Sequence, residues 1–446
     1  MLILALRNFK LDKFNSLQIN QFLRFGSVFL ISILLAKISY FRYSGGYGTS
    51  IISRYELLML VSSSLSFFWV ASICNTLIPF YNGSDEKTQK RILFNAFALL
   101  TAFSLIAGAV TIVIGHAKGK DIDLFEIFGL VVFLNTPTFI TDYIFYLKGK
   151  YKSMLLWGIS TYAAHLVLLC VPLFFRQSLN LSVNLLLILA MVKFNYTIIL
   201  LMKYSTISIH TRLLKQFMIK VMPFMFSILL AGSVEYINSY IIDYYYDETQ
   251  FAIFRYGAKE LPIFLILANS LSNIYSGEIA NLNREGLLNQ GLAKLKVSSR
   301  RLMYWVFPGT IVLLFASKYL FEYAYNVDLK EGYKIFNIYL LLIISRMLFP
   351  QTVITGLMKT RVFYLVSTNY LIINVVLSFV FVRSIGIDGI AYATVLSFLV
   401  EKIMLAIYCK MEGIRMREYT PIREYLFFSA ITLIAFFLPH YITLPF

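Results

Sequence analysis

Apolar residues fill this chain in near-continuous blocks, and polar residues gather in the short gaps between them. A block of about 20 apolar residues crosses a hydrocarbon core of roughly 30 Å as one helix. Thirteen such windows fall at 17–39, 56–80, 92–115, 125–147, 153–175, 182–203, 219–243, 251–280, 301–323, 332–357, 362–383, 386–409 and 425–444. They predict an all-α polytopic membrane protein with about 13 transmembrane helices. The window 251–280 is long and carries Arg255, Lys259, Glu260 and Pro262, so its first turns are expected at the interface or along a cavity. Between 410 and 424, Lys410, Arg415, Arg417 and Arg423 alternate with Glu412, Glu418 and Glu424, the pattern of a solvated surface segment joining the last two spans.

Composition agrees. Only 14% of the 446 residues are charged, where a soluble domain carries about 25%. Mean hydropathy is +0.72. The gaps are too short for a soluble catalytic domain. Cys74, Cys170 and Cys409 lie singly in apolar segments, as packing residues do, without the spacing of a disulfide framework or zinc site. The net charge of +17 would suggest nucleic acid in a soluble protein, but here the basic residues flank spans and report topology. With the N-terminus in the cytoplasm, roughly 24 of the 40 Lys and Arg fall on the cytoplasmic side and roughly 10 opposite.

Two halves suggest themselves. Residues 1–16 form a cytoplasmic N-terminal segment, 17–203 a six-helix lobe, 204–218 a cytoplasmic linker, 219–410 a second six-helix lobe, and 411–446 a surface segment with one extra span. Six is even, so the lobes share one orientation, as parallel repeats do. Tyr47-Gly48 before the second span and Phe251–Leu261 at the eighth occupy equivalent places, with Glu56 and Glu260 at matching offsets.

Several apolar runs contain a cation, and this is their most informative property. A positive side chain near the middle of a bilayer helix costs roughly 2.5–3.5 kcal/mol on insertion scales. Arg24, Lys193, Arg255, Lys259 and Arg346 facing lipid would together cost on the order of 12–18 kcal/mol. They are therefore expected to face a watery or ligand-filled interior, which points to a transporter with a cationic cavity. Each has a plainer alternative. Arg24 can snorkel to the cytoplasmic interface, and Arg255 and Lys259, four apart on one helix face beside Glu260, can form a structural ion pair. Lys193 is too deep for easy snorkelling. Arg346 lies four residues before Pro350, where a kink can open the helix.

Among the acids, Glu235 in the seventh span and Asp142 after Pro137 are candidates for pairing with a cation or for binding a coupling ion. Glu401-Lys402 reads as a local pair near the cytoplasmic interface, Arg54 as a weaker cation, and His165 as a satisfied core histidine. Tyr236, Tyr240 and Tyr256 are candidates for stacking on sugar rings. No Walker loop, nucleophile elbow or metal-spaced His/Cys cluster stands in the sequence, so no cofactor or catalytic residue is expected. H+, Na+ or the membrane potential remains as the energy source.

Particular stretches resemble a known family. Pro223-Phe224-Met225-Phe226, leading through Tyr236-Ile237-Asn238-Ser239-Tyr240-Ile241-Ile242 to Phe251-Ala252-Ile253-Phe254-Arg255-Tyr256-Gly257, is similar to the seventh and eighth spans of polysaccharide repeat-unit flippases. Asn374-Val375-Val376-Leu377-Ser378 followed by Ile385-Gly386-Ile387-Asp388-Gly389-Ile390-Ala391-Tyr392-Ala393-Thr394 resembles their eleventh and twelfth, and Gly45-Gly46-Tyr47-Gly48 is similar too. Asp388 and Tyr392 depart from the small residues usual there.

The resemblance is to the O-antigen and capsule flippase branch of the multidrug/oligosaccharidyl-lipid/polysaccharide exporter superfamily. It implies two six-helix lobes in a V around a central cavity, in the bacterial inner membrane. It also implies a polyprenyl-pyrophosphate-linked oligosaccharide as substrate, with a polysaccharide polymerase and chain-length machinery as protein partners. The cations would then replace phosphate hydration, arginine bonding two oxygens at once. The alternatives are a cation-coupled multidrug exporter of the same superfamily, which would prefer an acidic cavity, and a polytopic membrane enzyme such as a polysaccharide polymerase, which would carry a large outward loop.

Overall fold

The computed structural model describes residues 13–43, 47–259, 262–325, 329–359 and 361–438. Gly45, Gly46, Glu260, Leu261 and the end of the 425–444 window lie outside them. Among the described residues there are helices and no strands. Among the described residues, ten helices are long and apolar enough to cross a membrane, eleven if a helix pair bent by 44° counts as one span. The surface is that of a membrane protein. Trp305, Leu365, Val113 and Ile199 are exposed, while Ser104, Thr111, Thr197 and Thr310 are fully buried. The hydroxyls of Thr111, Thr197 and Thr310 bond the carbonyl one turn back, at 2.8 Å in each case, so they need no water. This is a multi-pass membrane protein with an all-helical fold.

The described residues divide into two compact units, one ending at Gly232 and the other beginning at Ser233. The first contains α1 (Lys13–Arg42), α2 (Tyr47–Asn82), α3 (Glu86–Lys118), α4 (Ile122–Asn135), α5 (Ile140–Leu147), α6 (Tyr151–Phe174) and α7 (Leu179–Tyr204), and α8 (Thr211–Tyr245) crosses the division. Short polar links start these helices. Asp85 accepts from the Thr88 N–H at 3.3 Å, and Ser178 from that of Leu181 at 3.3 Å. Helices α3 and α4 meet backbone to backbone, because a Cβ on Gly108 would lie 2.5 Å from Gly129 O and one on Gly129 2.7 Å from Gly108 O.

The fourth span is broken, and its sequence says why. Pro137 has no N–H to reach Phe133 O, so the chain passes through a 3-10 turn at Thr136–Phe139 between α4 and α5. Ser104 Oγ, on α3, lies 3.0 Å from the freed carbonyl, and Thr136 Oγ1 donates to Val132 O at 2.6 Å. The break is thus internally satisfied, which hydrocarbon requires.

The second unit continues with α9 (Glu248–Gly257), α10 (Pro262–Arg284), α11 (Leu288–Tyr325), α12 (Gly332–Leu340), α13 (Leu342–Arg346), α14 (Pro350–Gly356), α15 (Val362–Ser384), α16 (Ile387–Met411), α17 (Met416–Tyr419) and α18 (Ile422–Phe437). The 332–357 window is the bent pair, broken after Arg346 where Pro350 begins a new helix. The 251–280 window is two helices. Its second part, α10, carries Asn269, Asn273, Glu278, Asn281 and Asn283, and α18 has 16 described residues; neither is among the ten.

The 410–424 segment is not simply solvated. Tyr419 is fully buried, Arg300 pairs with Glu424 at 2.8 Å, Lys296 donates to Arg417 O at 2.7 Å, and Lys359 pairs with Glu412. One aromatic anchor and ion pairs from α11 and the α14–α15 link hold it down. All three cysteines are buried and unpaired.

Candidate functional site

In the first unit the broken fourth span and α7 pack together. The break leaves Asn135 at the end of α4, and Lys193 Nζ donates to its Oδ1 at 2.5 Å. Asp142, on the other side of the break, lies in the electrostatic field of both Lys193 and Arg24 and is hydrogen-bonded by the Asn20 side chain from α1. Asn20 reaches it because Gly158 on α6 has no Cβ, which would collide with Asn20 Oδ1. Arg24 is the exposed member, its guanidinium 4.6 Å from the Phe139 ring. Two cations thus act electrostatically on one carboxylate. The Oδ1 atoms of both Asn20 and Asp142 are buried without a hydrogen-bond donor, so the cluster can take up a further donor or cation.

Nearby side chains bear on two of the sequence readings. His165 Nε2 lies 3.1 Å from the Tyr55 hydroxyl, the partner a core histidine needs. Arg54 forms an ion pair with Asp121 at 3.3 Å. Asn20 and Asn135 were not foreseen as members of the cluster, although Asn135 stands directly before the Thr-Pro break that aims it.

In the second unit Arg255 Nη1 donates to Ser239 Oγ at 3.2 Å and lies 3.9 Å from Glu235 Oε1. Arg255 is 15% exposed and Glu235 73%, so a nearly buried cation is held by a hydroxyl with a carboxylate at its open rim. Arg255 and Lys259 do not share a helix face. Helix α9 ends at Gly257, a weak helix former, and Lys259 beyond it turns its ammonium over the Tyr256 ring at 4.1 Å. Tyr256 is itself buried edge-on against Tyr325 at 5.1 Å, in the core of the unit.

Arg346 is the last residue of α13 at the break, its guanidinium 5.2 Å from the Phe398 ring of α16. Glu401 and Lys402 form a local ion pair at 3.8 Å, and Lys402 is only 7% exposed on a helix against which the broken span packs.

A polar network also joins α8, α15 and α16. Asn238 Nδ2 donates to Thr394 Oγ1 at 2.9 Å, Ser378 Oγ to Asn238 Oδ1 at 2.9 Å, and Asn374 Nδ2 to Ser397 Oγ at 3.0 Å. All five residues are buried, and their side chains satisfy one another.

This arrangement of helices recurs in solved transporter structures. The chain superposes on one described as lipid II flippase MurJ, inward closed conformation, with a TM-score of 0.65 over 94% of this chain and 92% of that one, at 15% identity. The chain has the MOP-transporter fold. A MOP superfamily transporter from Pyrococcus furiosus, described for the reverse polarity of its binding pocket, matches with a TM-score of 0.59, 13% identity, and 90% and 95% coverage. A multidrug resistance MATE family transporter in its outward-facing conformation matches at 0.57, 12% identity, and 89% and 93% coverage. At these identities the likeness is one of fold. No protein-family model matches the chain, and no curated protein is significantly similar.

Among the described residues, two spans are broken by proline, and each break carries a chemically useful group. Asn135 at the first holds Lys193, and Arg346 ends the helix at the second. Broken helices inside a bilayer are where transporters commonly build substrate and ion sites.

Proposed function

We propose that the protein is a flippase that carries a polyprenyl-pyrophosphate-linked oligosaccharide repeat unit across the bacterial inner membrane by alternating access, for a surface polysaccharide such as O-antigen, capsule or exopolysaccharide. One observation carries this reading: basic side chains lie inside spans of a fold shared with a lipid II flippase. Lys193 and Arg24 lend their fields to Asp142, Arg255 rests on Ser239, and Arg346 stands at a helix break. A diphosphate entering such a site exchanges water for charge-assisted hydrogen bonds, while its lipid tail stays in hydrocarbon. Lys259 lies close to Arg255 in sequence and adds charge at the end of α9.

Energy for export has two sources in this reading. Moving a headgroup outward across an inside-negative membrane gains about 2.3 kcal/mol per negative charge per 100 mV. Asp142 and Glu235, each near a cation, are the groups through which H+ or Na+ would reset the carrier. A polymerase and chain-length machinery would receive the unit outside, and the N-terminus lies in the cytoplasm.

The second reading, a cation-coupled drug exporter, draws on the MATE likeness and on Asp142. Neutralisation separates the two. Lys193→Met and Arg346→Gln, expressed at wild-type abundance in a host lacking its own copy, should cut glycan export and accumulate lipid-linked units inside. Wild-type export by both variants, or faster efflux of an organic cation by the wild type than by cells lacking the chain, would overturn the flippase reading.

A further inference from the structure

At one end of the first unit, segments distant in sequence meet. The chain beyond α7 returns to the first turns of α3, where the Thr206 N–H donates to Lys90 O at 3.2 Å and Asn95 Nδ2 to Ser208 O at 3.1 Å. The α5–α6 link, Lys148-Gly149-Lys150, closes tightly on the helix before it. The Lys150 N–H reaches Phe145 O at 2.8 Å and the Gly149 N–H reaches Tyr146 O at 3.1 Å. That closure needs a left-handed residue, and Gly149 supplies it with φ 68°. The turn sends its two lysines to different helices. Lys148 Nζ donates at 2.7 Å to the hydroxyl of Tyr81, buried near the end of α2, and Lys150 Nζ donates at 2.5 Å to that of Tyr204, the last residue of α7.

Three ammonium groups gather around one ring. Lys150 lies 5.2 Å from the Tyr204 centroid, and Lys148 and Lys203 each lie 5.8 Å from it. The acceptors that Lys148 and Lys150 use are uncharged phenols. Glu86, in the field of Lys148, is itself paired with Lys90 at 3.0 Å. Among the described residues no carboxylate forms an ion pair with Lys148, Lys150 or Lys203. Lys150 and Lys203 are exposed and Lys148 half-buried, so most of their N–H donors remain for an acceptor from outside the protein. The same end of α7 presents apolar surface: Ile199 and Met202 on its last turns, and Ile207 just beyond, are all exposed. A basic cluster continuous with exposed apolar side chains fits a molecule with an anionic head and an apolar tail, whereas a free phosphate would use the lysines alone. Tyrosine and lysine at the ends of spans also mark the headgroup level of a bilayer.

We propose that Lys148, Lys150 and Lys203 bind the headgroup of an anionic phospholipid of the surrounding bilayer, whose acyl chains run along Ile199 and Met202. Tyr204 gathers the ammonium groups around one point, and the lipid phosphate supplies the negative charge that meets them. The orientation proposed above puts this end in the cytoplasmic leaflet, whose anionic lipids attract basic segments next to spans. The inference goes beyond the flippase reading and does not rest on it.

The test uses the full chain in an uncharged detergent, titrated separately with phosphatidylglycerol and with phosphatidylcholine of the same acyl chains, bound lipid being counted by native mass spectrometry. Saturable binding of phosphatidylglycerol is expected, tighter than that of phosphatidylcholine. Lys150→Gln and Lys203→Gln should each weaken it about fivefold, and a variant that also carries Lys148→Gln about a hundredfold. Lys148 also holds Tyr81, so Lys148→Arg, which keeps the charge, is measured beside Lys148→Gln and should bind as the wild type does. Lys318→Gln, at an exposed lysine of the second unit, should leave the affinity unchanged. Thermal stability of each variant, measured alongside, shows that it is folded. Equal binding of the two lipids, or a triple variant that holds phosphatidylglycerol as tightly as the wild type, overturns the proposal. So does a loss in Lys318→Gln as large as that in Lys203→Gln, which would make binding a matter of net charge. Displacement of phosphatidylglycerol by inorganic phosphate at equal concentration assigns the lysines to a soluble anion and overturns the lipid assignment.

Discussion

Removing the side chain of Asn135 should destabilise the first unit far more than its single amide suggests. Lys193 Nζ donates to Asn135 Oδ1 at 2.5 Å inside the span. A hydrogen bond to a charged group contributes about 1.5–3 kcal/mol. Asn135→Ala removes that acceptor and leaves the ammonium with Asp142 as its remaining compensation, so a loss of about 1.5–3 kcal/mol is expected. Lys193→Met acts differently. It orphans the amide oxygen but also removes a charge whose desolvation costs several kcal/mol, so its net effect is expected near zero. Combined, the two changes should rescue one another, with a coupling of about 1.5–3 kcal/mol, or roughly 10- to 150-fold in the unfolding constant. Equilibrium unfolding in mixed micelles, or steric trapping in bicelles, reads all four variants of the cycle. Coupling below about 0.5 kcal/mol, the usual limit of additivity, would refute the view that the helix break exists to place Asn135 on Lys193.

Further outcomes follow from other contacts. Gly158→Ala puts a methyl into Asn20 Oδ1 and should displace Asn20 from Asp142, lowering transport and costing about 1–3 kcal/mol; unaltered transport and stability would show that α1 is not held there. Ser104→Ala withdraws the hydroxyl from Phe133 O at the Pro137 break and should cost about 1 kcal/mol in the same unfolding assay. Glu235→Gln should change stability by less than about 1 kcal/mol, because a 73% exposed carboxylate 3.9 Å from Arg255 is largely screened. The Lys359 hydrogen bond holds the Glu412 carboxyl below its usual range, and the same bond raises the Lys359 ammonium above its own. The carboxylate's contribution is present above the ordinary Glu pKa and lost as pH falls through the depressed value. The lysine's is present below the ordinary Lys pKa and lost as pH rises through the raised one. Thermal stability from pH 3.5 to 11 should therefore lose part of both slopes in Glu412→Gln, and identical profiles would contradict the pairing.

Much of the fold is legible in hydropathy because lipid imposes it: a span must be apolar over about 20 residues and must satisfy its own backbone. The windows from 17–39 to 219–243 each meet a helix of sufficient length. Pro350 was recognisable as a kink beside Arg346, and the break appears there. What one dimension hides is long-range partnering. Spacing placed Arg255 and Lys259 on one face, but the helix stops at Gly257 between them. The sequence shows Lys402 beside Glu401, but not that Arg346, some 50 residues earlier at a helix break, shares the Phe398 ring with it. Asn238 and Ser378 are 140 residues apart and join through a bond that neither local sequence announces.

The account's central claim is that basic residues within the spans carry an anionic lipid headgroup. It is tested most directly in proteoliposomes, by following a fluorescent polyprenyl-diphosphate-linked glycan as it moves from the inner to the outer leaflet. Translocation well above that of protein-free liposomes, reduced at least tenfold in the Lys193→Met and Arg346→Gln variants, is the predicted result. Translocation by the wild type no faster than in protein-free liposomes, or equal rates in wild type and both variants, would contradict it.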